Sequence, residues 1–511
     1  MEINDTSTGI TREAVKTAPP IAPDADDIVL SERARMVASQ FRRDNTSPVL
    51  VSGLMRLGEF TLILSIGVAL YAGYVGLGNH LSWEYPVAIA WTSLLAVLFF
   101  EIIDAYQIPK LRHPFRIGSR MFLAWSAAFA SLLMFGFFLK ISDQFSRFWL
   151  GSWFGAGFVS MMAIRLVMAR LVRQWGRNGM MERRAVVVGG GPKAEELIRS
   201  IESQPDNDIR ICGIFDDRDD TRSPPVVAGY PKLGTIGELI EFARISRVDM
   251  LIVSLPLTAE SRVLAMLKRL WILPVDIRLS AHNTKLRFRP RAYSYIGSVP
   301  MLDIFDKPIN DWDSVAKRCF DIVFSLAGIV VLSPIMAATA IAIKLESKGP
   351  VIFRQKRHGF NNEVIEVYKF RSMFTDQCDP TARNAVTKND PRVTRVGRII
   401  RKTSIDELPQ FFNALKGDLS LVGPRPHAIH AATRDRLYHE VVDGYFARHR
   451  VKPGVTGWAQ INGWRGEIDV DEKIERRTEF DLYYIENWSL WFDLKILFLT
   501  PIRLLNTENA Y

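Results

Sequence analysis

Hydrophobic positions cluster unevenly along the 511-residue chain. Four apolar runs, at roughly 58–78, 86–107, 121–139 and 149–169, each approach the ~20 residues a helix needs to span a bilayer. They predict a membrane protein with a four-helix transmembrane region over 49–175. The loop charges orient it. Arg42, Arg43 and Arg56 precede the first run; Lys110, Arg112, Arg116 and Arg120 separate the second from the third; Arg170, Arg173, Arg177, Arg183 and Arg184 follow the fourth. The loop at 78–85 has no Lys or Arg, and the other outer loop has only Lys140 and Arg147. Lys and Arg accumulate on the cytoplasmic side, so both ends of the region are expected in the cytoplasm. Residues 1–30 are polar, rich in Pro, Ala and Asp, and lack the apolar core of a signal peptide; residues 1–48 read as a disordered cytoplasmic tail.

Between 180 and 305 short β-branched runs alternate with helical stretches. Ala185-Val186-Val187-Val188 reads as a strand, Ala194 to Ile201 as a helix and Ile209 to Phe215 as a second strand, with further strands from Val248 to Val253 and from near Val275. This alternation predicts a Rossmann-like α/β domain. Gly189-Gly190-Gly191-Pro192-Lys193-Ala194 matches G-x-G-x-x-[GA], and Asp216 ends the second strand where a ribose-binding carboxylate would stand. A lone glycine fingerprint is weak evidence of a ligand. The domain reads more naturally as a structural or regulatory element, or as a homodimer contact.

A fifth apolar run, Cys319 to Ile343, has basic flanks on both sides: Lys317 and Arg318 before it, Lys344 and Lys348 after it. Both ends therefore prefer the cytoplasm. Ser333-Pro334 interrupts the middle, and an internal proline removes a backbone donor and kinks or breaks a helix. The pattern predicts a re-entrant membrane helix over 319–345. The alternative, a straight fifth span, would place the rest of the chain on the face where nucleotide sugars are absent.

The chemistry lies beyond Phe353, in a region expected to form a C-terminal α/β catalytic domain over 312–511. Val364 to Met373 reads as a strand whose alternation puts Lys369 and Arg371 on one face, either a solvated face or a phosphate clamp. Arg392, Arg395, Arg398 and Arg401 recur at every third position, with Val396, Ile399 and Ile400 opposite, as in a basic amphipathic helix lying on an anionic membrane. Ser404-Ile405-Asp406-Glu407-Leu408-Pro409 follows. Ser404-x-x-Glu407 fits a capping box. The paired acids equally fit chemistry: Asp406 as a nucleophile on phosphorus and Glu407 as a ligand to Mg²⁺. Arg425 stands between Pro424 and Pro426, a rigid presentation of a guanidinium to phosphate. The stretch Lys452 to Glu467, which includes Gln460, mixes glycines, aromatics and amides as a loop receiving a base and a sugar would.

Composition adds limits. The 65 basic and 55 acidic residues give a net charge of +10. That surplus suits anionic lipid or phosphorylated substrates; nucleic acid is not expected, since a membrane protein has its own reason to be basic. Cys212, Cys319 and Cys378 form no CxxC or metal-binding spacing, which argues against a disulfide framework.

In order along the chain stand Lys317-Arg318-Cys319-Phe320-Asp321, Ser333-Pro334, Tyr368-Lys369-Phe370-Arg371-Ser372-Met373, Asp406-Glu407-Leu408-Pro409-Gln410, Gly423-Pro424-Arg425-Pro426 and Pro453-Gly454-Val455-Thr456-Gly457-Trp458. Together they resemble the bacterial sugar transferases, the polyprenyl-phosphate hexose-1-phosphate transferases. With the spans and the Rossmann-like domain, the chain is similar to long-form members that initiate exopolysaccharide synthesis. The resemblance implies that Asp406 attacks the sugar-bearing phosphorus of a UDP-sugar, releases UMP, and passes the phosphosugar to undecaprenyl phosphate. It implies that Glu407 holds Mg²⁺ and that Lys369, Arg401 and Arg425 bind phosphates, at the inner membrane with the catalytic domain cytoplasmic; Arg371, Lys452 and Gln460 are further substrate-binding candidates. Gly463-Trp464-Arg465-Gly466-Glu467 resembles members that transfer glucose-1-phosphate, in preference to galactose-1-phosphate. Lys452 departs from the arginine of many members. Two other classes fit less well. A membrane-anchored dehydratase needs a Tyr-x-x-x-Lys pair, and Tyr106 to Lys110 lies at a span end with Pro109 inside it. A non-catalytic export scaffold would be expected to lack the paired acids or Arg425.

Overall fold

The computed structural model describes residues 12–18, 30–41, 47–75, 82–177, 181–204, 209–255, 260–280, 293–296, 299–375, 390–428, 438–464, 466 and 470–504. Arg42, Arg43, Cys378, Arg465 and Glu467 lie outside them. The chain forms two compact units, Asp44–Arg183 and Met1–Arg43 with Arg184–Tyr511.

In the second unit two short helices, α1 (Arg12–Thr17) and α2 (Glu32–Gln40), stand where a disordered tail was expected. Val15, Ala34, Ala38 and Phe41 are buried in the same core as the α/β sheet. Ser31 caps α2, accepting from Ala34 N at 3.2 Å while its Oγ donates to Leu233 O at 3.1 Å.

The other unit contains α3 (Pro48–Leu70), α4 (Glu84–Ile102), α5 (Ile108–Arg112), α6 (Pro114–Phe138) and α7 (Arg147–Arg177). Helix α3 packs on α4 and α7, and α6 packs on the same two. All four long helices are long and apolar enough to cross a membrane. Gly67 admits the Trp153 ring, since a Cβ there would lie 2.9 Å from it. The buried Glu59 carboxylate accepts from Arg165 Nε (2.6 Å), Arg165 Nη2 (2.9 Å) and the Tyr106 hydroxyl (2.8 Å). A charge pair so fully bonded can be tolerated away from water.

After Arg183 the chain enters an α/β fold: β1 (Arg183–Val188), α8 (Pro192–Glu202), β2 (Ile209–Phe215), β3 (Val226–Val227), β4 (Tyr230–Gly234), α9 (Ile236–Ile245), β5 (Met250–Val253), α10 (Glu260–Leu270), β6 (Asp276–Ser280), β7 (Tyr293–Ile296) and β8 (Val299–Phe305). The sheet order is β3-β4-β2-β1-β5-β6-β8-β7. β1, β5 and β6 are parallel, and β8 and β7 add an antiparallel edge. The burial of Ala185–Val188 in β1 and of all of β5 explains the β-branched runs. At the glycine turn, Gly190 N donates to Asp216 Oδ2 at 2.7 Å, and Arg218 holds the same carboxylate. The carboxylate sits on an N–H where a dinucleotide phosphate would be expected. Burial would raise its pKa, but Arg218 and the backbone donors hold it below the ordinary value.

Helix α11 (Asp311–Glu346) is helical throughout and includes Pro334, so the expected break is absent from the secondary structure. Pro334 has no N–H for Val330 O; the Ser333 hydroxyl donates to that carbonyl at 2.8 Å. Val323, Leu326, Val330, Val331, Ile341 and Leu345 are exposed along the helix. Its start is anchored in the interior: Lys317 Nζ reaches Asp493 Oδ2 (2.6 Å) and Val422 O (3.0 Å). Its end, Glu346, accepts from Arg395 N (2.7 Å) and Val396 N (3.0 Å).

Next come the hairpin β9 (Ile352–His358) and β10 (Val364–Phe370), α12 (Arg395–Lys402), α13 (Gln410–Lys416), β11 (Ser420–Val422), α14 (Tyr438–Val441), β12 (Gly454–Thr456), α15 (Trp458–Ile461), α16 (Asp471–Glu486) and α17 (Leu490–Leu504). On α12, Ile400 is buried and Val396 half-buried, while Ile399 is 63% exposed. This region also joins the sheet's core through Ala447, and Asn361 donates to Ala243 O at 3.3 Å.

Candidate active site

Asp406 and Glu407 occupy a 3₁₀ turn, Ile405–Glu407, between α12 and α13. Ser404 opens it at φ 58°, a left-handed conformation unusual for a residue with a Cβ. Its side chain makes no cap hydrogen bond, so the capping box is not formed.

Glu407 turns instead to two cations. Its Oε1 accepts from Lys369 Nζ (2.9 Å) and Arg425 Nη2 (2.5 Å), and its Oε2 from Arg425 Nη1 (3.2 Å). Burial works to raise its pKa, but Arg425 and Lys369 overcome that and hold it well below the usual carboxylate range. Asp406 accepts no hydrogen bond from the described residues. Burial raises it, Lys369 and Arg401 oppose, and the neighbouring Glu407 charge adds to the rise, leaving it at about 6. Neighbouring carboxylates thus differ: one is clamped and firmly ionised, the other unbonded and poised.

Several elements fix these cations. Lys369 comes from β10, opposite Phe353 of β9. Asn413 of α13 ties down β10, donating to Glu366 O (2.7 Å) and accepting from Tyr368 N (2.9 Å). Arg425 lies on a backbone held from several directions. Val422 O accepts from Lys317 and from the Tyr484 hydroxyl (3.0 Å), Gly423 N donates to Thr456 O (2.9 Å), and Gly454 N to Pro424 O (2.9 Å). Close approach explains the glycines of both motifs: a Cβ on Gly454 would lie 2.1 Å from Gly423 N, and one on Gly457 2.3 Å from Gly423 O. Arg448 Nη2 donates to Arg425 O at 2.9 Å, and Arg357 Nη1 to Pro426 O.

Of the residues singled out in the sequence, the structure gathers Lys369, Arg401, Asp406, Glu407 and Arg425. Arg371 lies just past the end of β10 and donates to Ser347 O (2.8 Å), Lys348 O (2.6 Å) and Thr375 Oγ1 (2.5 Å), fastening the turn after α11. Lys452 donates to Gly417 O (2.7 Å) at the end of α13. Gln460 is on α15, with its Oε1 buried and unpartnered among the described residues. Arg357 was missed. Burial and the nearby Arg425 charge push it down to about 10, and it also senses Glu407 and Asp406. The signal was available, because antiparallel pairing puts Arg357 on the same hairpin face as Lys369.

Among the described residues no group of three or more His, Cys, Asp or Glu converges. Mg²⁺ does not need one, since it binds through one or two carboxylates completed by substrate phosphates. Unbonded Asp406 and the less engaged Oε2 of Glu407 fit such a donor set.

The chain matches the family model described as "Bacterial sugar transferase" over residues 312–507, and that described as "CoA-binding domain" over 101–281. A UDP-glucose:undecaprenyl-phosphate glucose-1-phosphate transferase of Xanthomonas campestris pv. campestris is 33% identical over 464 residues, spanning 90% of this chain and 94% of the relative. The chain belongs to the bacterial sugar transferase family. A transferase of the same description from Klebsiella pneumoniae is 35% identical over 486 residues, 93% of this chain and 100% of the relative. An Aeromonas hydrophila protein described as a UDP-N-acetylgalactosamine-undecaprenyl-phosphate N-acetylgalactosaminephosphotransferase is 48% identical over 195 residues, 38% of this chain and 44% of its own length. Every gathered residue of the sugar transferase site, Arg357 included, lies within the region matched by the family model.

Proposed function

We propose that this sugar transferase moves glucose-1-phosphate from UDP-glucose to undecaprenyl phosphate, releases UMP, and so begins an exopolysaccharide repeat unit. The observation that carries the reading is the contrast within the acid pair: Glu407 is clamped by Lys369 and Arg425, while Asp406 is unbonded beside them. An Asp406 oxygen attacks the sugar-bearing phosphorus as the bond from that phosphorus to the bridging oxygen breaks. The electron pair leaves on that oxygen as part of UMP. An oxygen of undecaprenyl phosphate then attacks the same phosphorus, and the Asp406 carboxylate is regenerated. Lys369 and Arg425 orient the equatorial oxygens and offset the charge that develops on them. Mg²⁺, when held by Glu407 and the donor phosphates, would supply further charge neutralisation.

The same reading puts the catalytic region on the cytoplasmic face of the inner membrane, with α11 re-entrant. Two contacts support it. The start of α11 is tied to Val422 and Asp493, and its end to the first turn of α12, within one compact unit. A 36-residue helix measures ~54 Å, longer than the ~30 Å hydrocarbon core, so a straight crossing would carry the two ends to opposite faces. Glucose is favoured by the full-length relatives, and the Aeromonas protein makes an N-acetylhexosamine donor the specific alternative. The test is UMP release by purified protein with undecaprenyl phosphate, Mg²⁺ and UDP-glucose, UDP-galactose or UDP-N-acetylgalactosamine in turn. Fastest release from UDP-glucose is expected; release from none of them refutes the reading.

A further inference from the structure

Further cations gather around Arg425. Arg448 joins Arg425 O (2.9 Å) to Asp481 (2.5 Å), and Arg357 holds Pro426 O. Arg477 of α16, 5% exposed, stands next in line. Its Nη2 donates to Gly466 O (3.1 Å), in the loop whose composition suits a base and a sugar, and its Nε is buried with no partner among the described residues. Among the described residues four arginines here (357, 425, 448 and 477) face three carboxylates, Asp406, Glu407 and Asp481, an excess of one positive charge. Burial, and then the Arg425 charge, push Arg477 down to about 10. Buried cations lacking counter-charge are costly, and an anionic ligand removes the cost.

We propose that Arg477 and Arg357, with Arg425 beside them, form the subsite for the nucleotide-side phosphate of the donor and hold it as it departs. The inference rests on the functional reading above and adds a direction to it. The sugar-bearing phosphorus lies at Asp406, and the bridging oxygen points past Arg425 towards Arg477 and the Gly466 loop. As the anhydride bond breaks, the electron pair on that oxygen gives the leaving nucleotide one more negative charge. The unbonded Arg477 Nε and the excess positive charge are placed to receive it. Arg448 is a positioning residue here, since it binds backbone and Asp481.

The experiment measures UMP binding by calorimetry to the full chain in lipid nanodiscs, on an Asp406→Asn background that cannot turn over. Donor kinetics are measured on the unaltered background. Removing one charge-assisted contact should weaken UMP about tenfold or more in Arg477→Gln. The donor KM should rise and kcat fall, while the KM for undecaprenyl phosphate moves by less than about twofold, and Arg477→Lys should recover part of the UMP affinity. If Arg477→Gln does not fold, Arg477→Lys decides, with a reduced but measurable affinity expected. Folded Arg477 variants that bind UMP like the unaltered chain overturn the subsite while the functional reading stands. A chain with native Arg477 that binds no UMP and releases none overturns the functional reading, and the subsite with it.

Discussion

Lys317→Met tests the anchor that joins the membrane helix to the catalytic centre. Lys317 Nζ lies 2.6 Å from Asp493 Oδ2, 3.0 Å from Val422 O and 3.4 Å from Asp321 Oδ1, with side-chain exposures of 9% for Lys317 and 0% for Asp493. Methionine keeps the stem's bulk and removes the charge, leaving two acids without their cation. Asp493 would retain the Tyr484 hydroxyl (2.7 Å) and Trp488 Nε1 (3.2 Å), and Asp321 would retain Ser420 Oγ and Leu421 N (both 3.0 Å). Those donors limit the penalty to the lower part of the ~3–5 kcal/mol that breaking a buried pair costs. At ~2–4 °C per kcal/mol, the melting midpoint should fall by roughly 6–12 °C. The sign with pH is also fixed. Burial raises the Asp493 carboxyl, and Lys317 opposes the rise. An acid with a raised folded pKa costs stability above its ordinary value, and the cost fades as it protonates. The deficit of Lys317→Met should therefore shrink between pH 8 and pH 5, and Lys317→Met/Asp493→Asn should recover most of it. Intrinsic-fluorescence melts in nanodiscs measure this. A midpoint within ~1 °C of the unaltered chain, or a deficit indifferent to Asp493→Asn, refutes the reasoning.

Further outcomes follow from other contacts. Arg371→Met should lower the melting midpoint yet leave the donor KM of the folded protein within about twofold, because its guanidinium binds Ser347, Lys348 and Thr375 rather than the acid pair. A thiol at Lys348→Cys, in a chain without its native cysteines, should be labelled only from the cytoplasmic face, and Ser333-Pro334→Leu-Leu should reduce activity by favouring a straight span. Chelation should abolish UMP release and Mg²⁺ restore it, with Glu407→Gln requiring more Mg²⁺; full activity in excess EDTA would contradict the metal's part. With Asp406 at about 6, the ionised fraction falls below that pH, so kcat/KM should drop about tenfold between pH 7 and pH 5; a flat profile would show that ionisation of Asp406 does not control the reaction.

The apolar runs and the β-branched strands were legible because their residues face uniform surroundings: β1 and β5 are buried on both sides, and α3, α4, α6 and α7 are apolar over most of their length. The acid pair was legible through its company of motifs, not through its own spacing, which fits a cap equally well. Arg371 shows where periodicity stops working: β10 ends at Phe370, and the next side chain turns to carbonyls at the end of α11. Arg357 is hidden in the sequence because it acts from β9, across the hairpin from the strand that carries Lys369. Helix α2 was hidden by composition, since its burial depends on a distant partner, Leu233, that no local pattern reveals. At Pro334 the helix stays continuous, and the Ser333 hydroxyl takes the carbonyl that the proline leaves without an N–H.

The central claim is that Asp406 carries the phosphosugar. Rapid mixing of the purified chain with UDP-glucose and Mg²⁺, with no lipid acceptor, should release a burst of about one UMP per active site, and radiolabel from the glucose should remain on the peptide containing Asp406. Asp406→Asn, which should fold, should give neither. UMP release that strictly requires undecaprenyl phosphate, with no burst and no labelled peptide, would contradict the account.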